Sequence, residues 1–171
     1  MTNTQRQPQA LRNLVRVHGR TLSSVLVLRG TAAGRDQVAR VFHAASGHPA
    51  ALFHRVDCAS DETLLDSLFR VLLSDAESSL PSPEDERTLF LDVVEALTNS
   101  SQRLLLLVIE RLAEMAPCGE RRPIGRLIAG CHEDLQEEVE AGRFLPELYD
   151  AINKIRVDLG RIGEQPDRAA P

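Results

Sequence analysis

Residues Val25–His43 read VLVLRGTAAGRDQVARVFH. The apolar run VLVL is short and β-rich, which suits a strand buried on both faces. A turn of small residues follows it. From Gly34 to Ala45, Val38, Val41 and Phe42 recur at helical spacing. Strand, turn and helix in that order open a parallel α/β sheet. The same layout makes a phosphate cradle when the turn carries glycines, whose backbone N–H groups converge on the anion, and a lysine to bridge its outer oxygens. Here the lysine and two of the glycines are missing.

Working outward, the alternation continues. ALRNLVRVHG, after Pro8, predicts a short amphipathic helix with Leu11, Leu14 and Val15 on one side. ALFHRVDCA predicts a second strand, with Ser60-Asp61 capping a helix over Thr63–Leu73. SDAESSLPSPEDE reads as an exposed loop. TLFLDVV is the third strand, and Asn99 or Ser100 caps a long helix to Glu114. PCGERRP is turn-rich, Gly125–Gly130 forms a fourth strand, Asp134–Gly142 and Pro146–Asn153 are helical, and KIRVDL closes as a fifth strand. The expected fold is α/β, a three-layer sandwich with a five-stranded, mostly parallel sheet. Residues 1–10 are expected to be a flexible N-terminus, 11–160 one domain, and 161–171 a disordered tail.

Composition narrows the function classes. The chain has 171 residues, 43% hydrophobic and 26% charged, which fits one soluble globular domain. No run approaches the roughly 18 apolar residues of a membrane span, and MTNTQRQPQ is no signal peptide, so the expected location is the cytoplasm. Without Trp and with a single Tyr, the chain offers little for base stacking. Cys58, Cys118 and Cys131 lack C-x-x-C spacing and read as reduced thiols, Cys58 and Cys131 as core residues. Cys131-His132 is one adjacent pair with no second, so no metal site is expected. The net charge of −5 is uneven: Arg6, Arg12, Arg16, Arg20, Arg29 and Arg35 all precede Asp36, the first acid. The plainest reading is a solvated arginine-rich helix face.

Four blocks, in order, resemble the AAA+ domain of bacterial sigma-54-dependent transcription activators. GRDQVARVFHAAS is similar to the family's G-K-E-x-V-A-R-x-I-H, and VDCASDETLLDSLF to V-N-C-A-x-x-x-E-x-L-x-E-S-E-L-F. RTLFLDVVEAL is similar to G-T-L-F-L-D-E-I-x-E-L. AGCHEDLQEEVEAGRFLPELYDAIN is similar to A-A-T-N-x-D-L-x-x-x-V-x-x-G-x-F-R-x-D-L-Y-x-R-L-N. The resemblance runs from about Leu11 to Leu159 and implies a P-loop NTPase-like fold.

It also implies which residues should carry chemistry, and there the chain departs. Arg29 and Ala32 replace loop glycines, Arg35 replaces the lysine, and Gly34 is retained. Asp92 matches the magnesium aspartate, but Val93 replaces the glutamate that polarises water, and valine can neither accept a proton nor orient a water. His132 stands in place of a phosphate-sensing asparagine, and Leu145 and Ala151 in place of arginines that reach into a neighbouring subunit's site. The G-A-F-T-G-A loop that touches the sigma factor is replaced by RVLLSDAESSLPSPEDE. After Leu159 no lid subdomain, helix-turn-helix or receiver domain is expected.

The implied protein is therefore a pseudo-ATPase, with no cofactor beyond ATP and magnesium as weak residual ligands near Gly34, Arg35, Asp36, Asp92 and His132. For Arg35 with Gly34, a residual anion site competes with the plainer solvent-exposed arginine on a helix's first turn. For Asp92, a metal ligand competes with a strand-end carboxylate capping a loop. For His132, a pH-responsive group competes with a hydrogen-bonded strand-end histidine. RLLLLVIERL is apolar at six consecutive positions, which suggests a second buried face and a partner surface including Leu104, Leu107 and Arg111. The alternative is a helix packed under the altered loop.

The favoured function is a regulatory interaction protein whose partner is an intact AAA+ activator or a second copy of itself, with neither membrane nor DNA contact. The competing readings are a module that binds ATP or ADP without hydrolysis, and an adaptor unconnected with transcription. An active sigma-54-dependent ATPase is the reading that the lost residues oppose.

Overall fold

A computed structural model describes residues 9–47, 52–60, 63, 65–70, 87–115 and 124–163. Helix α1 (Gln9–His18), strand β1 (Val25–Leu28) and helix α2 (Ala32–Ser46) come first. Strand β2 (Phe53–Asp57) follows, then a helical stretch at 65–70 and strand β3 (Arg87–Asp92), which runs into a 3-10 turn at Val94–Ala96. Helix α3 (Asn99–Met115) leads to strand β4 (Ile124–Cys131). Helices α4 (Leu135–Glu140) and α5 (Pro146–Ile152), strand β5 (Ile155–Asp158) and the short helix α6 (Leu159–Gly163) complete the described chain.

The strands form one five-stranded sheet in the order β2-β3-β4-β1-β5, and every pairing is parallel. Parallel strands need crossovers that put helices on the sheet's faces, so the central strands are buried along their whole length. All of β1 and β4 is buried accordingly. Side chains alternate between two cores. Val25, Val27, Phe90 and Ile128 pack with Leu11, Val38 and Phe42 of α1 and α2. Leu26, Leu28, Leu91 and Ala129 pack with Leu105 and Val108 of α3 and Leu148 and Ile152 of α5. Register brings Leu28 beside Cys131 and Asp158, and Asp57 beside Asp92, so the carboxyl ends of the strands share one edge.

Several boundaries differ from the sequence reading. Helix α2 starts at Ala32 rather than Gly34, because Ala32 and Ala33 are strong helix formers and Thr31 caps them. The third strand ends on Asp92, the aspartate at which the sequence reading ends it, and Val93 beyond it turns left-handed at φ 59°. Helix α3 is capped by neither Asn99 nor Ser100; the Thr98 hydroxyl accepts the Ser101 N–H at 3.3 Å. Gln9 and Ala10, expected to be flexible, lie in α1, and Arg161–Gly163, expected in a disordered tail, lie in α6. The segments 74–86, 117–123 and 164–171, the helix beyond residue 70, and Cys118 fall outside the described residues.

Helix α3 revises the partner-surface reading. Leu105 and Val108 are core residues, and Leu104, Leu106, Ile109 and Leu112 pack against that core. The apolar run is a wide buried stripe, and Leu104 belongs to it rather than to a free surface. Leu107 stays 51% exposed, and exposed Arg111 pairs with Glu114 at 3.5 Å.

Candidate functional site

The candidate site lies where β1 hands over to α2. The connection is only Arg29, Gly30 and Thr31, because the helix has wound back to Ala32. Arg29 and Gly30 both adopt positive φ, 63° and 70°. Glycine accepts that region freely, whereas an arginine there is strained. Thr31 Oγ1 accepts the Gly34 N–H at 3.1 Å, and Thr31 O accepts the Arg35 N–H at 3.0 Å. The helix start, whose N–H groups would otherwise be open to an anion, is in this way partly satisfied from within the chain. Leu159 closes over the loop: a Cβ at Gly30 would lie 2.8 Å from its Cδ1.

Arg35 is not the solvent-exposed arginine of the plainer reading. It is 0% exposed, and Asp92 is 1% exposed. Arg35 Nε donates to Asp92 Oδ1 at 2.6 Å and Nη2 to Oδ2 at 3.3 Å, a two-pronged pair. Arg35 Nη1 donates to the Gly30 carbonyl at 2.9 Å. Asp92 Oδ2 also accepts from Arg55 Nη2 at 3.1 Å, and Oδ1 from the Val93 N–H at 3.2 Å. A buried charge survives only when paired and hydrogen-bonded, and here both partners meet that condition. Gly130 makes room for the pair, since a Cβ there would sit 2.6 Å from Asp92 Oδ1.

The neighbouring charges are also engaged. Asp36 Oδ2 takes Arg40 Nε at 2.7 Å, with Arg55 Nε 3.9 Å from its Oδ1. Arg29 Nη1 donates to Asp158 Oδ2 at 2.9 Å, and Asp158 Oδ1 accepts the Gly160 N–H at 3.0 Å, ordering the start of α6. The structure thus joins Arg35 to Asp92 directly and links Asp36 to them through Arg55. Each Asp92 carboxylate oxygen accepts two hydrogen bonds from within the chain. No cluster of three or more His, Cys, Asp or Glu side chains suited to a metal occurs among the described residues.

His132 stands apart. Its backbone N–H and Nδ1 meet Glu95 Oε1 at 2.9 and 2.8 Å, so it is a hydrogen-bonded strand-end histidine. Cys58 and Cys131 are buried. Burial first, then Glu95, raises the Cys131 thiol to about 12. Burial first, then Asp57, Asp92 and Glu95, drives Cys58 still further above the ordinary thiol range. Neither has the thiolate character of a nucleophile. Leu145 packs against the core, its N–H held by Gln102 Oε1 at 2.8 Å. Arg55, Leu159, Glu95 and the Arg29–Asp158 pair carry no local sequence signal, because each acts through a contact distant in the chain.

Together these features define a P-loop NTPase-type α/β domain with a buried Arg35–Asp92 pair at the carboxyl end of its sheet. The model of the sigma-54 interaction domain family matches residues 1–158, and the chain belongs to that family. The transcriptional regulatory protein ZraR of Klebsiella oxytoca is 30% identical over 95% of this chain and 39% of its own length. The acetoin catabolism regulatory protein of Cupriavidus necator is 31% identical, over 84% of this chain and 23% of its own. The chain therefore spans well under two thirds of these relatives. Among solved structures, NtrX from Brucella abortus in complex with ATP matches with a TM-score of 0.67 at 21% identity, covering 92% of this chain and 38% of that one. The P-loop NTPase domain of the sigma-54 transport activator from E. coli matches at 0.57 and 22% identity, covering 88% and 91%. These two likenesses show the fold.

Proposed function

We propose that the chain is a regulatory member of the sigma-54 activator family that has given up ATP hydrolysis and works by protein contact. One observation carries this reading: the Arg35–Asp92 pair, with Val93 beside it, occupies the strand end where a hydrolytic site needs a free carboxylate to hold a metal and a second carboxylate to orient water. The preserved scaffold suits docking beside an intact activator in a mixed assembly. Leu145 and Ala151 would then offer the neighbouring site no cationic side chain, and a missing transition-state arginine costs roughly a thousandfold or more in rate. No described helix is long and apolar enough to cross a membrane.

Two measurements test it. Purified chain with magnesium and ATP should release phosphate at the background rate, and so should Val93→Glu, because a restored glutamate leaves Asp92 clasped and α2 wound back to Ala32. Turnover by the wild-type chain overturns the loss of hydrolysis. Titrated into an intact sigma-54 activator from the same cell, the chain should lower that activator's ATPase rate in proportion to the mole fraction added. An unchanged rate at equimolar mixing rules out the mixed assembly.

A further inference from the structure

Arg35 does more than fill a space. Through the Gly30 carbonyl and both Asp92 oxygens it ties the β1–α2 connection, the first turn of α2 and the end of β3 into one knot. Arg55 brings in β2 from the other side of Asp92. Gly130 of β4 lies directly against the pair, and Leu159, just past β5, covers Gly30. Side chains or backbone from all five strands or the residues next to them thus meet at the carboxyl edge, around a salt bridge with 0% and 1% side-chain exposure.

We infer that Arg35 is a built-in counter-ion that clasps the carboxyl edge shut, so that the domain is ordered without a ligand and its contacts with partners are not gated by nucleotide. The inference rests on the reading of the cradle as non-hydrolytic, and not on which partner docks. A ligand that binds only the folded state raises its melting temperature by mass action. A clasp that already fills the cradle leaves a ligand no place to bind, and so no such rise. Conversely, removing Asp92 leaves the buried Arg35 charge only the Gly30 carbonyl, and removing Arg35 leaves Asp92 only the partly exposed Arg55 and the Val93 N–H, whereas removing both spares most of that penalty.

The test is thermal unfolding of the full chain, with and without millimolar magnesium-ATP or magnesium-ADP, for wild type, Arg35→Met, Asp92→Asn and the double variant. Wild type should melt at the same temperature in all three solutions. Each single variant should melt roughly 10 °C lower. The double variant should lose no more than the worse single one. If a single variant does not fold, recovery of folded protein in the double variant reports the same coupling. Additive losses in the double variant overturn the clasp. So does a rise in the wild-type melting temperature with either nucleotide, or fast amide hydrogen exchange in ligand-free protein at Gly34 and Arg35, whose N–H groups are bonded to Thr31. A nucleotide-dependent rise without phosphate release would sink the clasp and leave the non-hydrolytic reading standing; phosphate release would sink that reading itself.

Discussion

Val93 shows how far a single residue has moved from its family's pattern. A β-branched side chain at φ 59° crowds its own backbone, and such a residue is held there only by its surroundings. The turn it starts, Val94–Ala96, presents Glu95 to His132, while Val93 itself is bonded through its N–H to Asp92 Oδ1 and through its carbonyl to the Ala96 N–H. Replacing Val93 with Gly should therefore stabilise the protein by about 1 kcal/mol, read from the urea midpoint. A loss of stability would mean that the valine side chain's packing outweighs the strain. At the same scale, Arg35 could be placed at a helix start from its neighbours in the chain, but not its burial. Its partner is 57 positions away, and no local pattern carries that distance.

Among the elements, α4 depends on its first residue. Asp134 caps the helix by accepting the Gln136 N–H at 3.2 Å, and it pairs with Arg156 Nη2 at 2.7 Å. Partial burial pushes its carboxyl up, but the Gln136 and Arg156 hydrogen bonds and the arginine charges outweigh this and hold it below the usual carboxylate range. A lowered folded pKa gives stability that is complete above the unfolded value of about 3.9 and is lost as pH falls through the folded one. Asp134→Ala should thus cost about 1 kcal/mol at neutral pH. The gap to wild type should narrow steadily in urea titrations carried below about pH 4. An equal gap across that range would mean that the carboxylate's charge contributes nothing. The helix was legible in the sequence, which placed Asp134 inside it, whereas the cap and the bond to Arg156 of β5 were not. In α3 the sequence left two readings open, a partner surface or a helix packed under the neighbouring loop. A run of apolar residues looked like a spare face until the sheet, α5 and the helical stretch at 65–70 supplied the core that takes most of it.

For the molecule as a whole, Arg126 is the pin between layers. It is 2% exposed, and among the described residues no carboxylate pairs with its guanidinium; burial lowers its pKa. Nη1 donates to Phe42 O at 3.1 Å, and Nη2 to His18 O at 2.9 Å and to Thr21 O. One side chain of β4 thereby caps the C-terminal end of α1 and fastens α2 to the sheet. Arg126→Ala should cost on the order of 3 kcal/mol, since three carbonyls at once lose a hydrogen bond from a charged donor. Amides of α1 should be the first to lose hydrogen-exchange protection. Unchanged protection there would show that the apolar contact of Leu11 is enough to hold the helix.

The order of elements, the parallel sheet and the family were determined by the sequence alone, because strand and helix periodicity and the four blocks are local. So was the presence of Arg29, Ala32, Arg35 and Val93 at these positions. Only the tertiary structure decided how they are arranged: a buried arginine on Asp92, a leucine over Gly30, and a helix that begins at Ala32. Charge pairing and packing are contacts through space, between residues that the sheet brings together from opposite ends of the chain.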